Sequence, residues 1–334
     1  MDILTLMQRL DSCHGISGSE KEIAQVLTSL AGPYVDEITT DVMGNVFCHK
    51  KGNGPKVMFA AHIDSIGFIV THIDEKGFLR VGKVGGVPPA EVQFTPVRFQ
   101  SGIKGVVMPD AGADAKKLKM DDLVIDIGAH SREEAEKLVR IGDTAVYDCQ
   151  PFGMGERLSG PYMDNRISCV ALLLAMEQMQ HSDNDLWFVF TVQEEVGLRG
   201  AKTAAWAVAP DYGIVVDVTV SDDVPGAKHD GSSVLGGGAA VKVMDSSVIC
   251  HPEAVKKLED LARERGIRYQ MDVIRSGGTD AGEIHRTRCG VVTGGVSVPC
   301  RHIHAPVETV DKTDVEACAK LIAAFAESKL EARA

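Results

Sequence analysis

The chain has 334 residues, of which 44% are hydrophobic and 25% charged, and its formal net charge is −12. This composition is ordinary for a globular protein, and the length predicts one large domain accompanied by a smaller one. The negative charge disfavours nucleic acid or an anionic membrane as the main partner.

The amino-terminal residues lack a basic region followed by a long apolar stretch, so we expect no signal peptide. No window approaches the roughly 18 uninterrupted apolar residues of a membrane span. The eight cysteines are scattered without a Cys-x-x-Cys pair. That pattern is typical of reduced, mostly buried thiols in the cytoplasm, and it disfavours a thiolate zinc site.

Helix signals recur along the chain. A capping box of Ser19 and Glu22 predicts the start of a helix that Gly32 ends. Further helices are predicted at residues 165–180, 251–266 and 313–330.

The last two of these helices have clear starting signals. Pro252 falls in the first turn of one of them, and Thr313 with Glu316 forms a second capping box at the other. Short apolar runs rich in β-branched and aromatic residues lie between the helices and predict strands at residues 56–64, 186–193, 212–220 and 289–298. The alternation predicts a three-layer α/β domain with a largely parallel sheet.

One stretch breaks this alternation. Residues from about 70 to 155 carry many glycines and short β-like runs, and the segment 131–140, capped by Ser131, is the main helical exception. We predict an inserted β-rich domain over residues 70–155, with the α/β domain made of residues 1–69 and 156–334. The charged, glycine-containing segment at 110–122 is expected to be a loop.

Side chains that bind metals follow three of the predicted strands: His62 and Asp64, Glu194 and Glu195, and Asp217. In open α/β sheets, binding sites lie beyond the carboxyl ends of the strands. Successive strand residues face opposite ways, so both glutamates can serve one site only where the backbone turns. Their local sequence alone would favour a solvated strand end.

The other candidates also have ordinary structural interpretations. His62 and Asp64 could simply form a hydrogen-bonded pair at a strand end, and Asp164 could be the N-cap of the helix that follows it. Asp217 follows so apolar a run that an unpaired charge would be costly, which favours a metal-ligand or ion-pair role. In the sequence RHIHAP, the chemistry alone does not choose between His302 and His304.

Taken together, two imidazoles, three carboxylates and one further glutamate suit two divalent ions such as zinc, cobalt or manganese. Each ion would have one histidine and one carboxylate of its own, with one shared aspartate between them. Two metals about 3.5–4 Å apart can polarise a carbonyl and generate hydroxide at neutral pH. A further glutamate near that water could act as a general base.

The motifs AAHIDSIGF, PYMDNR, QEEVGLRGA, VVDVT and IHAPVE, in this order, resemble those of the tetrahedral aminopeptidases, the metallopeptidase family that includes bacterial glutamyl aminopeptidase. DLVIDIGAHSREEA and SGGTDAGEIH are also similar to family segments, and the resemblance extends over essentially the whole chain. It implies a zinc-exopeptidase-like catalytic domain with an inserted β-rich dimerisation domain.

The resemblance also implies roles for individual residues. It assigns His62, Asp164 and Asp217 to one metal ion, and Asp164, Glu195 and His304 to the other. Asp64 would orient His62, and Glu194 would be the general base. A cis peptide is expected between Asp164 and Asn165.

The implied reaction is removal of the N-terminal residue from short peptides, by hydrolysis of the first peptide bond, and the enzyme is expected to be cytoplasmic. In this family the inserted domain mediates dimerisation, and the dimers build tetrahedral dodecamers. Residues 70–155 would take that role, and the loop near 112–122 would reach a neighbouring subunit.

Three positions depart from the usual family pattern. Ser65 stands where many members have glutamate, and Ala305 where serine is frequent. Glu283 lies in a segment that often carries a small residue. It would either mark an acidic pocket for basic side chains or be a surface charge of a helix.

Two other classes of function are alternatives. Relatives of the family have been labelled endoglucanases, but glycosidases use two carboxylates across a sugar ring and aromatic platforms, and aromatic residues make up only 5% of this chain. A metal-free binding protein is the other alternative. The glycines at 236–241 (GGGAAV) hint at a nucleotide loop, although the full glycine spacing and the trailing acid are missing.

Overall fold

The computed structural model describes residues 1–115, 117–227 and 232–333. Lys116, which belongs to the predicted loop at 110–122, lies outside these ranges. The α-helices are α1 (Ile3–Asp11), α2 (Lys21–Ala31), α3 (Arg132–Ala135), α4 (Met163–Gln178), α5 (Arg199–Val208), α6 (Pro252–Glu264), α7 (Ala281–Ile284) and α8 (Lys312–Glu327). Among the described residues, no helix combines the length and the apolar character that crossing a membrane requires.

The strands are β1 (Glu37–Thr40), β2 (Val46–Lys50), β3 (Lys56–His62), β4 (Gly67–Ile73), β5 (Leu79–Val84), β6 (Pro96–Phe99), β7 (Lys104–Pro109), β8 (Leu123–Asp126), β9 (Thr144–Tyr147), β10 (Phe152–Met154), β11 (Arg157–Gly160), β12 (Asp185–Thr191), β13 (Tyr212–Val220), β14 (Ala239–Met244), β15 (Tyr269–Val273), β16 (Val292–Arg301) and β17 (Glu308–Asp311). The predicted strands correspond to β3, β12, β13 and β16.

The large sheet has the strand order β1-β2-β12-β3-β13-β16-β17-β11-β10, and a branch is formed by β14, which pairs with both β16 and β15. Its centre, from β12 through β3 and β13 to β16, is parallel as predicted. Alternate residues of the central strands enter different cores: Phe59 and Phe188 pack with α4 and α8, while Met58 and Val189 pack with α5. The predicted three-layer α/β architecture is therefore confirmed.

The inserted segment forms a closed barrel of β4, β5, β8, β7, β6 and β9. Phe68, Phe99 and Tyr147 belong to its separate hydrophobic core. The barrel strands run from Gly67 to Tyr147, and the chain enters the barrel shortly after β3 and returns to the large sheet through β10. Both connections to the barrel are therefore short.

The two predicted capping boxes are wrong. Before α2, Glu20 is the N-cap without a side-chain cap, because Glu22 instead accepts a hydrogen bond from the backbone N–H of His14 at 3.0 Å. Helix α8 begins earlier than predicted, because Asp311 caps it by accepting the N–H of Thr313 at 3.0 Å. By contrast, the predicted Pro252 start and the Ser131 cap are confirmed, although α3 is only four residues long.

Asp217 lies inside β13 rather than at its end. The strand pairs with β3 only as far as Val215, but it continues to pair with β16 up to Val220. Asp217 therefore stands just beyond the end of the β3 ladder, and its side chain faces the space left open there. The prediction that Asp217 follows the end of a strand is therefore wrong for β13 as a whole, but it is correct for the part of β13 that pairs with β3.

Candidate metal centre

The site forms where β3 and β12 end side by side. His62 is the last residue of β3, and Thr191, the last residue of β12, lies opposite it. Two residues later, Gln193 adopts a left-handed conformation with φ 54°. This turn brings both Glu194 and Glu195 to one cavity, which His62 also lines, so the two neighbouring glutamates serve one site.

His62 lies among three carboxylates. Its Nε2 atom is 3.2 Å from Asp164 Oδ1, 3.8 Å from Asp217 Oδ1 and 3.8 Å from Glu194 Oε2. All four side chains are buried. Its other ring nitrogen, Nδ1, is 3.1 Å from the backbone carbonyl of Asp64, so donation there would leave Nε2 free to bind a metal.

His304 lies on the other side of Asp164. Its Nε2 atom is 3.3 Å from Asp164 Oδ2 and 3.4 Å from Glu195 Oε2. The two oxygens of Asp164 are therefore each directed at a different imidazole. His302, the alternative left open by the sequence, is exposed, and it does not line the cavity that holds His304.

The donor set fits divalent cations. Two overlapping groups of side chains, His62 with Asp164 and Glu195, and His62 with Glu194 and Asp217, hold ligand atoms within 4.8 Å of one another. Asp164 Oδ1 and Glu195 Oε1 are buried and accept no hydrogen bond from the described residues. A buried acceptor without a partner is costly, and a metal ion would satisfy both atoms.

The protonation equilibria also indicate missing positive charge. Burial raises the pKa of Glu194 and Asp217 well above the ordinary range, and nearby carboxylates add to the effect. Burial alone would lower the pKa of His304, but Asp164 and Glu195 raise it to about 12. Carboxylates this crowded need protons or cations between them, and divalent metal ions supply that charge at neutral pH.

Comparison with known proteins identifies the family. The sequence matches the M42 glutamyl aminopeptidase family over residues 44–321. The chain belongs to this family. The resemblance inferred from the motifs and the predicted class, a metal-dependent aminopeptidase, are therefore confirmed.

Individual relatives agree with this assignment. A protein of Acetivibrio thermocellus provisionally named an aminopeptidase is 44% identical over 322 residues, which cover 96% of this chain and 97% of that protein. The structure of an aminopeptidase from Desulfurococcus kamchatkensis has a TM-score of 0.94 at 39% identity, covering 97% and 94% of the two chains. The Pyrococcus horikoshii TET1 peptidase, described as assembling into a tetrahedron or a large octahedral shell, has a TM-score of 0.85 at 31% identity, with 97% and 99% covered.

In this M42 aminopeptidase, Asp64 does more than face His62. The Asp64 carboxylate is 3.5 Å from His62 Nδ1, whereas the backbone carbonyl of Asp64 is closer to that atom, at 3.1 Å. The same carboxylate accepts the backbone N–H groups of Glu194 at 2.9 Å and Glu195 at 3.2 Å, and the hydroxyl of Ser17 at 2.6 Å. Asp64 therefore fixes the turn that presents both glutamates.

Two further carboxylates of this aminopeptidase were not singled out from the sequence. Glu308 accepts the backbone N–H of Asp164 at 2.8 Å and that of His304 at 2.6 Å, so it joins two segments of the site. Asp280 accepts the hydroxyl of Thr191 at 2.5 Å. Both lie in segments quoted for the resemblance, IHAPVE and SGGTDAGEIH, and that membership was the only sequence signal for them.

The remaining sequence expectations have clear outcomes. The Asp164–Asn165 peptide is cis, as predicted, and Asn165 donates from its side chain to the backbone carbonyl of Val216 at 3.0 Å. Ser65 does not line the cavity of the candidate metal ligands, and its hydroxyl donates to the Gly15 carbonyl at 3.3 Å. Glu283 pairs with Arg286 and does not line the cavity, which favours the surface-charge interpretation over an acidic pocket.

Proposed function

We propose that this aminopeptidase removes the N-terminal residue of short peptides with two divalent ions, zinc, cobalt or manganese, bound in the cluster around Asp164. The observation that carries the proposal is the position of Asp164 between His62 and His304, with one oxygen 3.2 Å and the other 3.3 Å from the two imidazoles. A carboxylate in this position can bridge two metal ions. The orphaned oxygens of Asp164 and Glu195 support the same arrangement.

In this proposal, each ion has its own ligands besides Asp164. His62 and Asp217 would hold one ion, and Glu195 and His304 would hold the other. Asp64 and Glu308 would position these ligands through backbone hydrogen bonds. When bound, the metal ions would polarise the scissile carbonyl and lower the pKa of a water molecule.

Glu194 would be the general base. Its carboxylate faces the same cavity, with Oε2 3.8 Å from His62 Nε2, and it is not needed as a ligand of either ion. It would take the proton of the attacking water and pass it to the leaving amine. The free α-amine of the substrate would bind against the remaining negative charge of the cluster.

The assembly is also part of the proposal. We infer that residues 70–155 form a dimerisation domain, that the segment near 112–122 reaches a neighbouring subunit, and that dimers assemble into a tetrahedral dodecamer. Large apolar side chains exposed in this region support an interface there, in particular Phe94 at 69% and Ile141 at 66% exposure. Sedimentation velocity would test it: a dodecamer is expected, and a stable monomer would contradict it.

A cytoplasmic location completes the proposal. All eight cysteines are free thiols, and most of them are buried. Thiols that persist unpaired in this number are typical of a reducing compartment. Fractionation of cells that express the tagged chain would test the location.

The alternative functions have less support. Among the described residues, no phenylalanine, tyrosine or tryptophan lines the cavity at the cluster, where a sugar would need a platform. The glycine loop before β14 has no N–H groups to spare for a nucleotide phosphate at Gly236 and Gly238, because both donate to the carboxylate of Asp314 at 2.7 Å. A metal-free binding protein would also leave the carboxylate cluster uncompensated.

One experiment tests the function directly. The purified chain would be assayed on amino-acyl anilides and on carboxymethylcellulose, with and without a chelator, after measuring its bound metals. We expect about two divalent ions per chain, anilide hydrolysis that the chelator abolishes, and recovery with zinc, cobalt or manganese. Chelator-insensitive activity, or hydrolysis of the cellulose substrate alone, would overturn the proposal.

A further inference from the structure

We propose that the substrate cavity selects peptides whose N-terminal side chain is neutral and apolar, and that Ile274 is a specificity-determining residue. This inference rests on the proposed function, because it concerns the same site. It goes further by separating this chain's preference from the glutamyl activity in the name of its family.

The cavity at the metal cluster has two chemically different kinds of lining residue. Its volume is about 390 Å³, and the acidic and histidine side chains of the cluster form one part of its lining. The rest of the wall consists of apolar side chains and small or uncharged residues, in particular Leu198, Val220, Ile274 and Ile303, and the segment 276–279. A single amino-acid side chain fits a space of this size.

The reaction decides which part of the lining is left for the substrate side chain. The α-amine and the scissile carbonyl of an N-terminal residue must both lie at the cluster, since the bond to be cleaved is one residue from the amine. The side chain branches from the carbon between those two groups. It therefore extends along the remaining wall, where it meets Ile274 and its apolar neighbours.

Two cationic side chains near the cavity, Arg301 and Lys242, are already paired with other residues. Arg301 forms a two-fold contact with Asp223, with both N–O distances 2.6 Å, and the buried Lys242 pairs with Asp272 at 2.6 Å. In the described part of the chain, no charged side chain outside the cluster lines the cavity. A glutamyl or lysyl side chain would thus lose water there without gaining a partner, whereas an apolar one would gain contact.

The wall that carries this selectivity is held in place. The segment 276–279 is tied to the turn after β14: Thr279 donates its hydroxyl to Asp245 at 2.9 Å, and Ser246 donates its N–H to the Gly277 carbonyl at 3.0 Å. Ile274 is anchored by its own N–H, which donates to the Met244 carbonyl at 3.1 Å. A wall held by several hydrogen bonds, one of them buried, reorganises little to accept a charged side chain.

The test compares substrates that differ mainly in charge. With the metal-loaded full-length protein, kcat/KM would be measured on amino-acyl anilides of leucine, methionine, lysine, glutamine and glutamate. We expect leucine and methionine to exceed lysine and glutamate by at least about tenfold, and glutamine to exceed its isostere glutamate. Equal or higher values for lysine or glutamate would overturn this inference and leave the proposed function intact, whereas hydrolysis of none of the five would overturn the proposed function itself.

Substitution of Ile274 sharpens the test. Ile274→Asp is expected to raise the ratio of lysine to leucine kcat/KM by at least about tenfold. Ile274→Asn introduces a neutral side chain of nearly the same shape as aspartate, and it should lower leucine turnover without a gain for lysine. Ile249→Asp is the matched control, since Ile249 is 75% exposed and lines a different cavity; it should leave all ratios unchanged. If Ile274→Asp and Ile274→Asn gave the same ratios, Ile274 would not determine specificity.

Discussion

The carboxylate of Asp64 accepts the backbone N–H of Glu194 at 2.9 Å. Since the same group also accepts the N–H of Glu195, one side chain sets the direction of both glutamates. Asp64 is completely buried, so water cannot replace it. The geometry of the cluster therefore depends on a residue whose carboxylate need not touch a metal ion.

Asp64→Ala is expected to impair both metal binding and turnover. It leaves the two glutamate N–H groups and the Ser17 hydroxyl unpaired, each at a cost of about 1–3 kcal/mol. We expect metal affinity or kcat/KM to fall about 10–100-fold or more, measured by metal titration and by anilide hydrolysis. Asp183→Ala, at a side chain 93% exposed, is the matched control. Wild-type affinity and activity in Asp64→Ala would contradict this role.

Glu194→Gln separates the base from the ligands. The amide keeps the shape of the side chain but cannot accept a proton, so we expect kcat to fall about 10²–10⁴-fold while both metal ions stay bound. Elemental analysis and steady-state kinetics on the same preparation would check this. Substantial activity in this variant would exclude Glu194 as the base.

Glu195→Ala should have the complementary phenotype. It removes the carboxylate oxygen that lies 3.4 Å from His304 Nε2, so the proposed site on that side loses a ligand. We expect the metal content to fall from about two ions to about one per chain, with activity lost as a consequence. If Glu195→Ala kept both ions and Glu194→Gln lost one, the assignment of the two neighbours would have to be exchanged.

The buried His14 predicts an acid-sensitive contact between the amino-terminal segment and the barrel. Its Nε2 atom lies 2.9 Å from the Thr144 hydroxyl, and burial, reinforced by Arg98 and Arg166, lowers its pKa to about 4. The unfolded chain takes up this proton near pH 6.5, so the stabilisation is complete above that pH and is lost as the pH falls towards about 4. The loss amounts to about 3 kcal/mol at most.

His14→Gln should therefore flatten part of the pH dependence. We expect the melting temperature of the wild type to fall more steeply between about pH 6.5 and pH 4 than that of the variant. His181→Gln, at a histidine side chain 81% exposed, should behave like the wild type. Identical slopes for His14→Gln and the wild type would show that His14 is protonated in the folded state too.

The sequence predicted correctly those features that follow from a regular local pattern. Buried parallel strands need apolar runs, and their carboxyl ends converge on one edge, so His62, Glu194 and Asp217 could be grouped without a structure. The barrel was foreseeable as a β-rich insertion, because its glycine-rich short runs differ from the surrounding alternation.

Other features depend on contacts that no local pattern records. Glu22 matches a capping box, but its carboxylate is used by the His14 N–H, and Glu308 owes its role to N–H groups turned towards it at Asp164 and His304. Such partners are fixed only when distant segments meet. A carboxylate that holds backbone groups also looks, in sequence, like any other acidic residue.

The cluster gathers side chains from His62 to His304, with the entire barrel inserted between His62 and Asp164. Contacts so distant in sequence form only in the native fold, and the unfolded chain offers no comparable set of ligands. Divalent ions should therefore act as ligands of the folded state: stability gains about 2.7 kcal/mol at a free-ion concentration a hundred times the Kd, and the melting temperature rises with added metal. Metal supply would then govern the lifetime of this enzyme in the cell as well as its rate.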